Sequence, residues 1–153
     1  MSLFASRLRY LMATHWFTTY DIEKKTGISN YQILRYSKGQ IDASLKNAVK
    51  IANLFNCSLD YLIGTDPQQD RFEDYGGLDK EPDFDKFIER YYYLLNIRNL
   101  NHNKVASDNG YNHNNIIYWE KKRVFPSIEI LYRLSIYFHR PIEYLVGRYD
   151  IKK

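Results

Sequence analysis

Lys121, Lys122 and Arg123 stand in a row, and Lys38 occupies a similar place behind an earlier polar stretch. Fixed cations of this kind neutralise phosphate, which supplies most of the non-specific affinity for a polyanion. Bond-making chemistry is not indicated. There is no glycine-rich phosphate loop and no nucleophile motif. His102, His113 and His139 are not at metal-ligand spacing with the single Cys57, so no metal site, cofactor or enzymatic activity is expected.

Charge is unevenly distributed. The chain of 153 residues carries a net +4, yet residues 65–85 hold eight acids and two bases. Residues 1–64 hold eight bases and four acids, and residues 86–153 hold twelve bases and six acids. Two basic lobes therefore flank an acidic connector. A 44% hydrophobic and 26% charged composition is that of a globular chain, and no apolar run approaches the ~20 residues that span a bilayer. The N-terminal residues lack the basic and apolar regions of a signal peptide, and Cys57 reads as a small buried thiol. These features place the chain in the cytoplasm, with no membrane partner.

An internal repeat sets the register for these lobes. At a constant offset of 83, Phe4 pairs with Phe87, Arg7 with Arg90, Gly27 with Gly110, Ile33 with Ile116, Ser44 with Ser127 and Phe55 with Phe138. The same offset carries Asp60-Tyr61-Leu62-Ile63-Gly64 onto Glu143-Tyr144-Leu145-Val146-Gly147. One register held over a whole domain predicts two related units, 1–65 and 84–153, joined by an acidic linker at 66–83. Within the linker, Asp66-Pro67 suits a helix start and Gly76-Gly77 a stop, with Phe72, Tyr75 and Leu78 available for docking.

Each unit reads as five short helices, so the expected fold is all-α. In the first, Ser2, Thr18 or Thr19, Ser29, Ser44 and Ser58 are candidate N-caps. Phe4, Leu8, Leu11 and Met12 form one apolar face; Leu45, Ala48, Ile51, Ala52 and Phe55 form another. Ile22 anchors the second helix, and Ile33, Leu34 and Tyr36 are candidate inward positions of the third. Gly27 and Gly64 end helices. The second unit repeats this with Val105, Gly110, Ile116, Ile130, Leu134 and Phe138, while Pro126 and Pro141 lie at or just before helix starts. Tyr91-Tyr92-Tyr93 reads as helix packing rather than a stacking platform.

Thr18 to Gly39 contains a short helix, a glycine turn and a capped helix, with apolar anchors at Ile22, Ile28 and Ile33. With Ser44-Leu45 and the Leu59–Gly64 stretch, it resembles the lambda-repressor-like, XRE-family DNA-binding domains. The resemblance covers nearly all of both units. Val105-Ala106, Trp119-Glu120 and Pro126-Ser127 fit the family pattern better than their first-copy counterparts Ile22-Glu23, Tyr36-Ser37 and Ala43-Ser44. Conversely, Gly39 and Gly27-Ile28-Ser29 fit better than Lys122 and Gly110-Tyr111-Asn112.

The resemblance implies that recognition helices 29–38 and 112–121, one or both, enter the major groove of double-stranded DNA. Its contact positions fall on Asn30, Tyr31, Gln32 and Arg35, and on His113, Asn114, Asn115 and Tyr118. Arginine can bind guanine O6 and N7 in bidentate fashion, and Gln32 or the asparagines can do the same with adenine. Phosphate contacts are implied at Thr18, Thr19, Ser29 and Lys38, and at Asn101, His102, Asn112, Lys121, Lys122 and Arg123. The implied function is a transcriptional regulator, most naturally a repressor. The competing expectation is a protein-interaction module, in which one copy pairs subunits as a homodimer or binds a toxin or anti-repressor. The sequence names no small-molecule or protein inducer.

Overall fold

A computed structural model describes residues 2–65 and 80–150. All regular structure among the described residues is helical. In chain order the helices are α1 Phe4–His15, α2 Thr19–Thr26, α3 Asn30–Ser37, α4 Leu45–Leu54, α5 Leu59–Ile63, α6 Phe84–Ile97, α7 His102–Asn109, α8 Asn115–Lys122, α9 Ile128–Phe138 and α10 Ile142–Leu145. The helix start at Asp66-Pro67, the stop at Gly76-Gly77 and the docking residues Phe72, Tyr75 and Leu78 lie outside the described residues.

Side-chain caps define most of the helix starts. Thr18 forms a capping box with Asp21, each side chain accepting from the other's backbone N–H, at 3.1 and 2.8 Å. Ser29, Ser44, Ser58 and Ser127 cap α3, α4, α5 and α9. Ser2 lies one residue ahead of the N-cap position of α1, which is Leu3; its hydroxyl nevertheless accepts from the Phe4 N–H at 3.2 Å.

Periodic apolar residues converge on a continuous core. Phe4, Leu8, Ile22, Ile33, Ala48, Ile51 and Leu62 are buried in the first half, and Phe87, Val105, Leu131, Leu134, Phe138 and Ile142 in the second. Removing an aliphatic side chain of this size from water contributes about 1.5–3 kcal/mol each. Two expectations change. Leu34 is 40% exposed, because Ile33 and Tyr36 already take the inward face of α3. Tyr91 is buried among Phe87, Trp119 and Phe138, whereas Tyr92 and Tyr93 turn outward.

The first and last helices of each half are tied together by an arginine. Arg7 donates to the Tyr61 carbonyl and lies 4.4 Å above that ring. Arg90 does the same to Tyr144, again 4.4 Å above the ring. Gly64 and Gly147 follow at φ 108° and 83°, where a Cβ would come within 2.8 Å of Leu3 and 2.9 Å of Asp83 respectively. Both positions need glycine for conformation and for space.

The two halves meet where α5 faces α10. Pro141 precedes α10 and has no side chain able to cap it. The Asp60 carboxylate does so instead, accepting from the N–H groups of Ile142 at 2.7 Å and Glu143 at 3.1 Å. In return the Leu59 N–H lies close enough to the Glu143 carboxylate to favour its charged form. Arg148, buried to 1% exposure, pairs with Glu143 at 3.3 Å and donates to Asn53 across the seam at 3.0 Å. Burial still pushes the Glu143 carboxyl up, to about 7, despite the opposing pull of Arg148.

Candidate nucleic-acid interface

The turn between α2 and α3 is built from Gly27 in the left-handed region, φ 79°, followed by Ile28 buried as an anchor and Ser29 as cap. This geometry presents the start of α3 to solvent. Tyr31 is 65% exposed and Gln32 is exposed. The Arg35 guanidinium lies 5.7 Å over the Tyr31 ring, one turn away on the same face. These three side chains offer a stacked cation, a phenol and an amide on one surface of one helix, a set able to hydrogen-bond base edges.

Asn30 is placed differently from its neighbours. Its backbone N–H donates to Glu23 at 2.8 Å, and its amide nitrogen lies 3.3 Å from the other Glu23 carboxylate oxygen. Glu23 therefore acts as an additional cap, from α2 onto α3. This role went unrecognised in the sequence because Glu23 stood out there only as a departure from the usual alanine.

Around this face, Thr18 is exposed at the start of α2 with its hydroxyl committed to the capping box, and Thr19 is half-buried. Ser29 and Lys38 are exposed at opposite ends of α3. Lys24 and Lys25 add positive charge to the last turn of α2, where cations also complement the helix dipole.

The corresponding region of the second half departs from this pattern. The helix expected over 112–121 begins at Asn115 and runs to Lys122. Asn112 bonds the Asn114 N–H at 2.8 Å, closing a turn that holds His113 and Asn114 ahead of the helix. Asn114 makes no side-chain cap, so nothing starts the helix earlier. His113 and Asn114 are exposed, Asn115 is half-buried, and Ile117 and Tyr118 are 62% and 57% exposed. The outward face of α8 is thus more apolar than that of α3.

Like Thr18, Ser29 and Asn112, three further residues with implied phosphate roles have local partners. Asn101 caps α7 through the Lys104 N–H at 2.8 Å. His102 turns its ring inward: Nδ1 meets the Tyr91 hydroxyl, and Nε2 is buried. Burial lowers its pKa. Arg123 takes the left-handed conformation, φ 52°, pairs with Asp85 at 2.9 Å and lies over Phe84. Lys121, Lys122 and Asn112 remain exposed. Among the described residues, no group of His, Cys, Asp and Glu could hold a metal ion, and no helix is long and apolar enough to cross a membrane.

Residues 7–68 match the Cro/C1-type HTH DNA-binding domain family. The chain is 40% identical over 58 residues to an uncharacterized HTH-type transcriptional regulator of Methanocaldococcus jannaschii, a match that covers 38% of this chain and 88% of that protein. No solved structure matches the chain. The short helix, left-handed glycine turn and capped exposed helix at residues 18–38 are thus shared with a family, and the chain belongs to the Cro/C1-type helix-turn-helix proteins.

Proposed function

We propose that the chain is a sequence-specific, DNA-binding transcriptional regulator, acting as a repressor, built from two helix-turn-helix units in tandem. The observation that carries the reading is the exposed face of α3, where Tyr31, Gln32 and Arg35 stand together behind a fixed cap. In this reading α3 enters the major groove, Arg35 and Gln32 address base edges, and Thr18, Thr19, Ser29 and Lys38 meet the flanking phosphates. Asn30 contributes through its backbone position, since Glu23 occupies its amide.

The second unit contributes phosphate affinity through Asn101, Asn112, Lys121 and Lys122, with the turn residues His113 and Asn114 and the helix residues Asn115 and Tyr118 against the bases. His102 supports this only by packing α7, and Arg123 only by fixing the end of α8. The contacts of Asp60 with α10 favour one chain presenting both motifs to a bipartite site, without a homodimer. Selection of bound duplexes from a random pool tests the whole reading. Recovery of a bipartite motif is expected; failure to enrich any sequence above random competitor sinks it.

A second reading has its own support. Ile117 and Tyr118 make the outer face of α8 apolar, and Arg123 is held by Asp85, so the second unit suits a protein partner better than the first does. Replacing Tyr118 and His113 should then alter assembly mass rather than DNA affinity.

A further inference from the structure

Three aromatic residues of the first helix-turn-helix stand in water: Trp16, Tyr20 and Tyr31 are 90%, 68% and 65% exposed. At the offset of 83 all three fall on asparagine, at Asn99, Asn103 and Asn114. Trp16 differs most from its counterpart in what its backbone asks of the side chain. It closes the turn after α1 in the left-handed region, φ 59°, and Asn99 closes the turn after α6 at φ 52°. The two turns match bond for bond. The Trp16 N–H donates to the Ala13 carbonyl at 3.4 Å and the Phe17 N–H to that of Met12 at 2.9 Å. The Asn99 N–H donates to the Asn96 carbonyl at 3.2 Å and the Leu100 N–H to that of Leu95 at 2.9 Å.

Asparagine tolerates this conformation better than most residues with a side chain, because its short amide can hydrogen-bond locally. Tryptophan has no such advantage, and at 90% exposure its ring buries almost nothing in return. The adjacent Phe17 serves the core instead, packing against Phe55 at 5.6 Å. An exposed tryptophan offers an apolar body with one N–H donor, the combination enriched at interfaces. Its surroundings indicate what covers it. The start of α2 follows at Thr18, Lys25 Nζ stands 5.6 Å over the Phe17 ring, and Lys24 lies in the same turn as Lys25. The two acids of α2 are turned to backbone N–H groups, Asp21 to that of Thr18 and Glu23 to that of Asn30. Cations and a neutral donor beside a capped helix start suit a phosphate backbone.

We infer that Trp16 is a DNA-backbone contact of the first unit, an assignment that rests on the reading in which α3 enters the major groove. The ring lies along the deoxyribose edge next to the phosphate met by Thr18, and the indole N–H donates to a phosphate oxygen. The partner is the duplex that α3 reads, so the contact extends that interface by one residue beyond α2. The second unit lacks it, because Asn99 is too short to reach the same place. The two units therefore grip the backbone unequally.

Acrylamide quenching of the full chain tests it, because the chain has two tryptophans and Trp119 is already buried. Phosphate contacts do not depend on sequence, so a mixed-sequence duplex at low salt serves as the probe. Saturating duplex should remove the readily quenched component, which belongs to Trp16. Trp16→Asn, which installs the counterpart residue, should bind about tenfold more weakly on mixed and selected duplexes alike. The indole is neutral, so the slope of log K against log salt should stay as in the unsubstituted chain. The Tm of Trp16→Asn should be no lower than that of the unsubstituted chain. Four results would each overturn the contact: Trp16 as accessible in the complex as in the free chain, unchanged affinity in Trp16→Asn, a lowered Tm in that variant, or shielding that grows with protein concentration without DNA, which assigns the ring to a second copy. A chain that binds duplex with Trp16 still accessible sinks the contact alone. A chain that retains no duplex sinks the DNA-binding reading and the contact with it.

Discussion

Asp60 and Glu143, 83 residues apart, meet across the seam, where the Asp60 carboxylate accepts from the Glu143 N–H at 3.1 Å. A contact that joins two positions related by the offset of 83 resembles the self-facing contact of a twofold interface, here formed within one chain. Both helices are too short to hold themselves in isolation, so each depends on the partner half.

Asp60→Ala should expose the cost of this arrangement. The N–H groups of Ile142 and Glu143 lose their acceptor in a buried place, a loss of about 1–3 kcal/mol. Urea denaturation is the measurement. Asp60→Asn, which keeps one acceptor oxygen, should lose less.

On the DNA-binding reading, Arg35→Ala should cost about 1–3 kcal/mol in binding and relax preference at one base position. Lys121→Ala should weaken all sequences alike and lower the slope of log K against log salt by about one. Titrations at several salt concentrations against specific and scrambled duplexes separate the two outcomes.

Glu23→Ala removes the acceptor for the Asn30 N–H and releases the Asn30 amide. A stability loss of about 0.5–2 kcal/mol is expected, comparable to losing an N-cap. In the duplex selection, the freed amide should change the preferred base at one position.

His102 makes stability pH-dependent. Burial lowers its folded pKa, so the unfolded chain takes up a proton at this site more readily than the folded one. Its contribution is therefore fully present above the unfolded pKa of about 6.5 and is lost as pH falls through the folded value. Denaturation curves at pH 8, 6 and 5 should show the decline, and His102→Phe should flatten it.

Much of the fold was legible because local signals agreed. The caps at Thr18, Ser29, Ser44, Ser58 and Ser127 and the left-handed Gly27, Gly64 and Gly110 all act within three or four residues of sequence. The face of α3 could likewise be read from Ile33 and Tyr36. The partners of Asn30, His102 and Arg123 could not, because each depends on a side chain whose approach is set by packing: Glu23, Tyr91 and Asp85. The late start of α8 reflects Asn112 bonding forward to Asn114, a turn that competes with the helix for the same N–H groups. The Asp60 contact with α10 was hidden for a related reason: a carboxylate after Leu59 reads as an ordinary first-turn acid of its own helix.

The Asp60 cap also orders events in time. Its hydrogen bonds join residues 82 and 83 positions apart, whereas those that start α2 to α5 span three. During synthesis the first five helices can form while the second half is still emerging from the ribosome. Helix α10 can acquire its cap only once both halves exist and have docked. The amides of Ile142 and Glu143 should be slow to gain protection from hydrogen exchange during refolding, and they report directly on the closing of the seam.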